Sequence, residues 1–154
     1  MRTLLVTAGV MTNQGKVLIA QRKEDAARGL LWEFPGGKLK DGEEPREALR
    51  RELREELGIE VEVGRIFEAV FHIYPEHPIL LLAYRCRIEK GHPQPLGCHE
   101  VRWVPIKELA KLPMAKADVP IRDTLCTADG ETDPLTRGEK QGSGSACSSK
   151  ADPQ

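Results

Sequence analysis

Three glutamates, Glu52, Glu55 and Glu56, stand at i, i+3 and i+4 in a segment with helical punctuation, so their carboxylates gather within one turn. Like charges at this spacing repel by roughly a few tenths of a kcal/mol per pair, and a helix in water gains nothing from them unless something positive lies among the acids. A hard divalent cation suits the donor type. Carboxylate and carbonyl oxygens fit Mg²⁺ or Mn²⁺, and the thiolate and imidazole ligands of a zinc site are missing from this stretch. The competing reading is a solvated acidic face neutralised by Arg46, Arg50, Arg51 and Arg54, with Arg51 and Glu55 as the best-spaced pair.

The helix that carries these acids is delimited at both ends. Pro45 suits a first helical position, where its missing N–H would be unpaired anyway, Glu43 and Glu44 sit where the dipole favours anions, and Gly58 supplies the stop. The pattern predicts a helix from about Glu44 to Leu57. Leu49, Leu53 and Leu57, with Ala48 beside them, make an apolar stripe that can pack on a sheet.

The spacing upstream decides between the two readings of the acids. Gly37 is followed after five residues by Glu43, and after seven more by Arg51-Glu52-Leu53-Arg54-Glu55-Glu56-Leu57-Gly58-Ile59. With U for a bulky aliphatic residue this is G-x5-E-x7-R-E-U-x-E-E-x-G-U, nine specified positions over 23 residues, all filled. The chain therefore resembles the Nudix hydrolases, which cleave a nucleoside diphosphate linked to another moiety. That resemblance implies an α/β (α+β) Nudix fold, an αβα sandwich with a mixed β-sheet and a loop-helix-loop catalytic motif. It also implies that Glu52, Glu55 and Glu56, with the backbone carbonyl of Gly36, hold Mg²⁺ (or Mn²⁺) against a diphosphate.

Within the family, the surroundings of the box are similar to the MutT branch, which hydrolyses nucleoside triphosphates to a monophosphate and pyrophosphate. The similarity covers about residues 1–126. It rests on Ala20-Gln21-Arg22, on Trp32-Glu33-Phe34-Pro35-Gly36-Gly37, on Arg102-Trp103-Val104, and on the segment from Leu112 to Pro120. It implies that Arg22 contacts the substrate, that Glu33, Phe34, Pro35 and Gly36 line its pocket, and that Asp118 reads the base edge. Well-studied relatives carry asparagine there. An ionised carboxylate only accepts hydrogen bonds, whereas an amide both donates and accepts, so the change alters which base edge is matched. Oxidised guanine brings N1–H, N2–H₂ and N7–H to such an acceptor, and a cytosine amino group would satisfy it too. The expectation is an 8-oxo-dGTP diphosphatase in nucleotide-pool sanitation, serving DNA repair and replication, with CTP or dCTP (or a modified cytosine nucleotide) as the alternative substrate. From the residues alone, Asp118 serves equally well as an N-cap for the last helix.

The resemblance also implies a mechanism in which the cation draws charge from the phosphate oxygens and acidifies a water that attacks phosphorus. Arg51 orients Glu52 or Glu55 rather than the substrate. One departure leaves the general base open. Relatives often supply a further acid about six residues ahead of the Arg-Trp-Val strand, and that position is Gly97 here. Glu100 is the nearest acid and a catalytic candidate, and His99 is a second. Two other classes of function are a non-catalytic nucleotide-binding module, against which the complete box counts, and hydrolysis of nucleotide sugars or dinucleoside polyphosphates, against which the lack of long insertions counts.

Other segments must present this motif. Residues 3–12 and 16–22 are β-rich runs joined by Asn13-Gln14-Gly15, which predicts two antiparallel strands in a hairpin. Residues 23–29 form a polar loop over the mouth of a site. Trp32, Glu33 and Phe34 alternate as a strand, ended by Pro35 before two glycines that form a turn and let the backbone approach a ligand. Strands follow at 59–74 and 79–90, around Pro75-Glu76-His77-Pro78, and again at 100–104. A short helix is expected at 106–111, a loop at 112–118, and a last helix from Pro120 to about Cys126.

Composition sets the outer bounds. From Thr127 onward Gly, Ser, Asp, Thr and Lys dominate, so the chain divides into a Nudix hydrolase domain over 1–126 and a disordered tail over 127–154. With 154 residues, 40% of them hydrophobic and 31% charged, the chain can bury one core of its own. A net charge of −1 gives no pull toward a nucleic-acid polymer or a membrane, so the expected partner is a small-molecule nucleotide, and the expected state is monomer or homodimer. The apolar run at 4–11 is too short and interrupted for a signal peptide or a membrane span, which makes a cytoplasmic setting the default. Cys86, Cys98, Cys126 and Cys147 are scattered without C-x-x-C pairing and are expected as reduced thiols.

Overall fold

The structure is a computed structural model that describes residues 2–127; the tail expected over 127–154 lies, from residue 128 on, outside the described residues. In chain order the elements are β1 (Leu4–Val10), β2 (Thr12–Asn13), β3 (Lys16–Gln21), β4 (Trp32–Glu33), β5 (Gly36–Lys38), α1 (Pro45–Leu57), β6 (Glu60–Ile73), β7 (Pro78–Lys90), β8 (Glu100–Pro105) and α2 (Val119–Thr127). Short 3₁₀ turns occupy Ile106–Lys111 and Lys116–Asp118. One sheet is mixed, in the order β5-β1-β7-β6, with β1 parallel to β7 and antiparallel to β5. The other is antiparallel about β3, which pairs with β2, β4 and β8.

The hairpin signal at residues 13–15 is real but local. Gln14 and Gly15 take left-handed φ of 54° and 79°, the pairing that a tight two-residue turn requires, and Thr12–Asn13 folds back on Lys16 and Val17. The expectation that residues 3–12 and 16–22 form one hairpin is corrected by what lies before it. The chain breaks step at Met11, and Leu4–Val10 belongs to the other sheet, where it finds a seven-residue parallel partner in β7. A second correction concerns the glycines after Pro35. Gly36–Lys38 is a strand on the edge of the mixed sheet rather than a turn.

The two sheets and two helices enclose two cores. Ala48, Leu49, Leu53 and Leu57 of α1 are buried with Met11, Leu18, Val61, Val63, Tyr84 and Cys86. Ile121 and Leu125 of α2 are buried in the other cluster, with Val10, Val17, Ile19, Phe34 and Leu81. The α1 stripe is the one its leucine spacing predicts. At its start, Glu44 is the N-cap and accepts the Glu47 N–H at 3.1 Å, with Pro45 in the first turn. At its end, Gly58 adopts φ 72° and donates its N–H to the Arg54 carbonyl at 3.0 Å.

Glycine at position 36 is a packing requirement. A methyl group there would collide with the Thr7 carbonyl oxygen and stand 2.7 Å from the Ala8 Cα, both backbone atoms of the neighbouring strand. Gly36→Ala is therefore expected to lower the unfolding free energy by about 3 kcal/mol or more. Gly42→Ala, at φ +75° in open space, should cost only about 1 kcal/mol. Chemical denaturation of the two variants checks the contrast.

Candidate active site

Arg51 sits at the centre of the acidic cluster. Its Nε and Nη2 atoms donate to the two oxygens of Glu43 at 2.7 and 2.9 Å, and Nη1 reaches Glu52 at 3.1 Å and Glu55 at 3.2 Å. Nη2 also donates to the Lys38 carbonyl at 3.1 Å, which ties α1 to the end of β5. The hydrogen bonds from Arg51, helped by the Lys40 N–H, hold the Glu43 carboxyl down at about 2. Glu52 goes the other way. It is packed against Gly37, where a methyl group would stand 2.6 Å from Glu52 Oε2, and burial raises its pKa despite Arg51.

Glu56 lies outside this network. Among the described residues it makes no ion pair, and its pKa is pushed up to about 7, first by burial and then by the charges of Glu52 and Glu33. The loop before β8 fixes its position. The N–H groups of Leu96 and Gly97 both donate to the Glu56 carbonyl at 3.0 Å, and that of Gln94 donates to the Leu57 carbonyl, so the loop satisfies the orphan carbonyls at the end of α1. Gly97 then lies flat against the Glu56 side chain, with room for a methyl only 3.1 Å from Cγ.

Glu52 and Glu56 face a cleft of about 480 Å³. Its floor is formed by Gly36, Gly37 and Lys38, and its walls include the apolar Leu4, Val6, Phe34, Ile79 and Leu81. Two more acids are in the lining. Glu33 is bonded to Arg22 at 3.0 Å, and Asp118 accepts the Phe34 N–H through Oδ2 at 2.8 Å. Burial raises both, and the neighbouring Glu33 charge pushes Asp118 well above the usual carboxylate range. Arg22 is a wall residue that braces the loop after β3, since its Nε also donates to the Ala27 carbonyl at 2.7 Å.

The donor chemistry fits a divalent cation, although the ligands are not drawn together. Among the described residues no group of three His, Cys, Asp or Glu side chains has metal-binding geometry. Arg51 holds Glu52 and Glu55. What fits is the character of the set: oxygen donors from Glu52, Glu56 and the glycine strand, with burial first and neighbouring acids second pushing the Glu56 pKa up. The one sulfur at the cleft, Cys98, has its thiol pushed up to about 11 by burial and by Glu56 and Glu33, so it offers no thiolate for a soft metal.

Most of the residues chosen from the sequence meet here. Arg22, Glu33, Phe34, Gly36, Glu52, Glu56 and Asp118 all line the cleft. Glu55 is on its outer side, 56% exposed, and Arg51 is behind the acids. Pro35 is not in the lining; its carbonyl accepts the Gly9 N–H at 2.8 Å. Glu100 is held by Arg102 at 2.9 and 3.2 Å, and neither it nor His99 is in the lining; the backbone N–H of His99 donates to the Gln21 carbonyl at 2.8 Å. The Asp118 side chain reaches Phe34 across the cleft rather than the N-terminus of α2. Tyr74 escaped sequence reading altogether. It lines the cleft and accepts the Ala117 N–H at 2.9 Å, and its only sequence signal was a place at the end of a long strand. Among the described residues Cys86, Cys98 and Cys126 are not joined to one another by a disulfide, and Cys147 lies outside the described residues.

A glycine strand that lets a helix carboxylate approach, a helix lined with acids, and a mixed sheet behind them define a Nudix-type hydrolase site. Residues 1–125 match the NUDIX domain family, and the chain belongs to it. Over 125 residues it is 36% identical to the CTP pyrophosphohydrolase of Escherichia coli, an alignment covering 81% of this chain and 93% of that one. It is 44% identical over 81 residues to the 8-oxo-dGTP diphosphatase of Proteus vulgaris, covering 52% and 72%. Among solved structures, the Escherichia coli ORF135 protein superposes with a TM-score of 0.73 at 33% identity, covering 84% of this chain and 93% of that one. A MutT Nudix hydrolase from Burkholderia pseudomallei has the same fold, with a TM-score of 0.75 at 22% identity and coverage of 81% and 99%. Nudix hydrolases use a divalent metal and act on small nucleotide substrates. Among the described residues no helix is long and apolar enough to cross a membrane.

Asp118 yields a test of the cleft's electrostatics. Its folded pKa is raised, so its contribution to stability is complete below the unfolded value of about 3.9 and is lost as pH rises through the folded value. Asp118→Asn keeps an acceptor for the Phe34 N–H and removes the charge. Thermal unfolding should find the variant more stable than the wild type by ~1 kcal/mol or more at about pH 8, with the advantage shrinking toward about pH 4. An advantage independent of pH would contradict this.

Proposed function

We propose that the protein hydrolyses nucleoside triphosphates to a monophosphate and pyrophosphate in a divalent-cation-dependent reaction, with 8-oxo-dGTP as the preferred substrate. One observation carries the reading: a single cleft is lined by the helix carboxylates Glu52 and Glu56, by apolar side chains, and by two further acids, Glu33 and the buried Asp118. The helix carboxylates suit a cation and phosphates, and the apolar side chains with Glu33 and Asp118 suit a planar base with hydrogens on its edge.

Glu52 and Glu56 would hold Mg²⁺ or Mn²⁺ with the backbone carbonyl of Gly36. When bound, such a cation supplies charge neutralisation for the phosphate oxygens and activation of the attacking water. The rest is done by the chain. Arg51 keeps Glu52 and Glu55 aimed through the hydrogen bonds of its Nη1. Gly36 and Gly37 lack side chains, so the backbone and the diphosphate can approach Glu52 closely. Leu4, Val6, Ile79 and Leu81 exclude water from the faces of the base. A water adds to phosphorus, the bond to the departing pyrophosphate oxygen breaks, and the proton passes to a nearby carboxylate or to solvent.

The preference for an oxidised purine follows from counting donors. Glu33 and Asp118 line the same cleft, each accepting through its carboxyl oxygens when ionised, and oxidation converts the N7 acceptor of guanine into a donor while leaving N1–H and N2–H₂ in place. Cytosine offers its amino group alone. A cytosine nucleotide remains the second reading because the Escherichia coli relative that aligns over 93% of its length is a CTP pyrophosphohydrolase.

Competition kinetics on 8-oxo-dGTP, dGTP, CTP and dCTP with Mg²⁺ test the assignment. The expected result is a kcat/KM for 8-oxo-dGTP about 100-fold or more above that for dGTP, since a site built for a hydrogen-bond donor rejects the analogue lacking it. Comparable values on all four would contradict the base reading. Glu56→Gln should lower turnover by about 10³-fold or more, and near-normal turnover would remove Glu56 from the machinery.

A further inference from the structure

The loop after β3 is compact, and its backbone is strained where it meets the cleft. Arg28 and Leu30 take left-handed φ of 57° and 64°, unusual for residues with side chains. Gly29 between them has no space for a methyl, which would stand 2.9 Å from the Lys23 carbonyl oxygen. Such a conformation persists only where surrounding contacts determine it. Those contacts cross the mouth of the cleft. The Arg28 guanidinium lies 3.7 Å over the ring of Tyr74 and 3.0 Å from a carboxylate oxygen of Glu76, both in the turn between β6 and β7. Two loops remote in sequence are thus joined by one side chain.

Tyr74 passes the contact inward. One ring face is covered by Arg28, its edge meets His72 with centroids 4.5 Å apart, and its hydroxyl accepts the Ala117 N–H at 2.9 Å. Ala117 precedes Asp118, whose carboxyl takes the Phe34 N–H. We propose that Arg28 is a positioning residue for base recognition: by stacking on Tyr74 it holds the Ala117–Asp118 turn at the distance from Phe34 that the base edge requires. The proposal rests on the nucleotide reading of the cleft and deepens it. Arg28 is remote in the network from the α1 carboxylates, so its effect falls on substrate fit and selectivity before it falls on the chemical step.

The test uses Arg28→Ala and Tyr74→Phe in the full chain. Arg28→Ala should raise KM for the preferred nucleotide about ten-fold, with a smaller change in kcat, and should narrow the preference between the best and poorest base about ten-fold. Tyr74→Phe keeps the ring and removes the acceptor, and should narrow the preference in the same way, with a melting point lowered by a few degrees because the buried Ala117 N–H is left unpaired. A base preference within about two-fold of wild type in Arg28→Ala overturns the proposal, as does an equal loss on every nucleotide, which is the signature of a general structural defect. Amide hydrogen exchange without nucleotide provides a second readout. Residues 115–118 should exchange faster in both variants than in the wild type, and unchanged protection overturns the proposal. Were the wild type to hydrolyse no nucleotide, the nucleotide reading would fall, and exchange alone would decide whether Arg28 holds the turn.

Discussion

Carboxylate crowding on one face of α1 is the constraint around which the protein is arranged. Glu43, Glu52 and Glu55 converge on a single guanidinium, and Glu56, one turn further on, receives no share of it. The division has opposite consequences at the two ends of the cluster. Glu43, doubly bonded by Arg51, is held at about 2, whereas Glu56, buried beside other acids, rises to about 7. A fold that needed only a stable helix would not keep this arrangement, because apolar or paired residues would serve better. The cluster makes sense as a site that is completed by positive charge.

Backbone proximity is what converts the cluster into a cleft. β5 lies so close to β1 that Gly36 admits no side chain, and Gly37 presses on Glu52. The loop that closes the end of α1 does the same for Glu56, where Gly97 lies against the carboxylate stem and the N–H groups of Leu96 and Gly97 complete the helix. Both acids are therefore aimed by glycines on neighbouring segments as much as by the helix they belong to. Elsewhere in the lining, the Phe34 N–H donates to Asp118 and the Ala117 N–H to the Tyr74 hydroxyl, among apolar walls.

The parts of this arrangement that depend on near neighbours were legible in the sequence. The start and stop of α1, its leucine stripe and the turn at Gln14-Gly15 follow from capping, periodicity and left-handed backbone preference. Spacing within the box puts Glu52, Glu55 and Glu56 on neighbouring turns of α1, and of the three Glu52 and Glu56 line the cleft while Glu55 is on its outer side. Partner choice between strands was not legible, because the same β-rich run at residues 3–12 satisfies a hairpin or a parallel seat beside β7, and only tertiary packing selects the second. Gly36-Gly37 looked like a turn for a related reason: the demand for glycine comes from Thr7 and Glu52, neither adjacent in the chain. Glu100 could be placed near the site by counting residues, but not its commitment to Arg102.

The acids of the cleft call for two things the protein does not itself provide: a cation among the helix carboxylates, and hydrogens at the edge facing Asp118. The first is the more fundamental, and Mn²⁺ binding followed by electron paramagnetic resonance in the absence of nucleotide measures it directly. The wild type should bind the ion, and replacing Glu52 and Glu56 together by glutamine should weaken that binding by about ten-fold or more. Equal affinity in the two proteins, or no binding by the wild type with or without nucleotide, would mean that the carboxylates of α1 gather for some other reason.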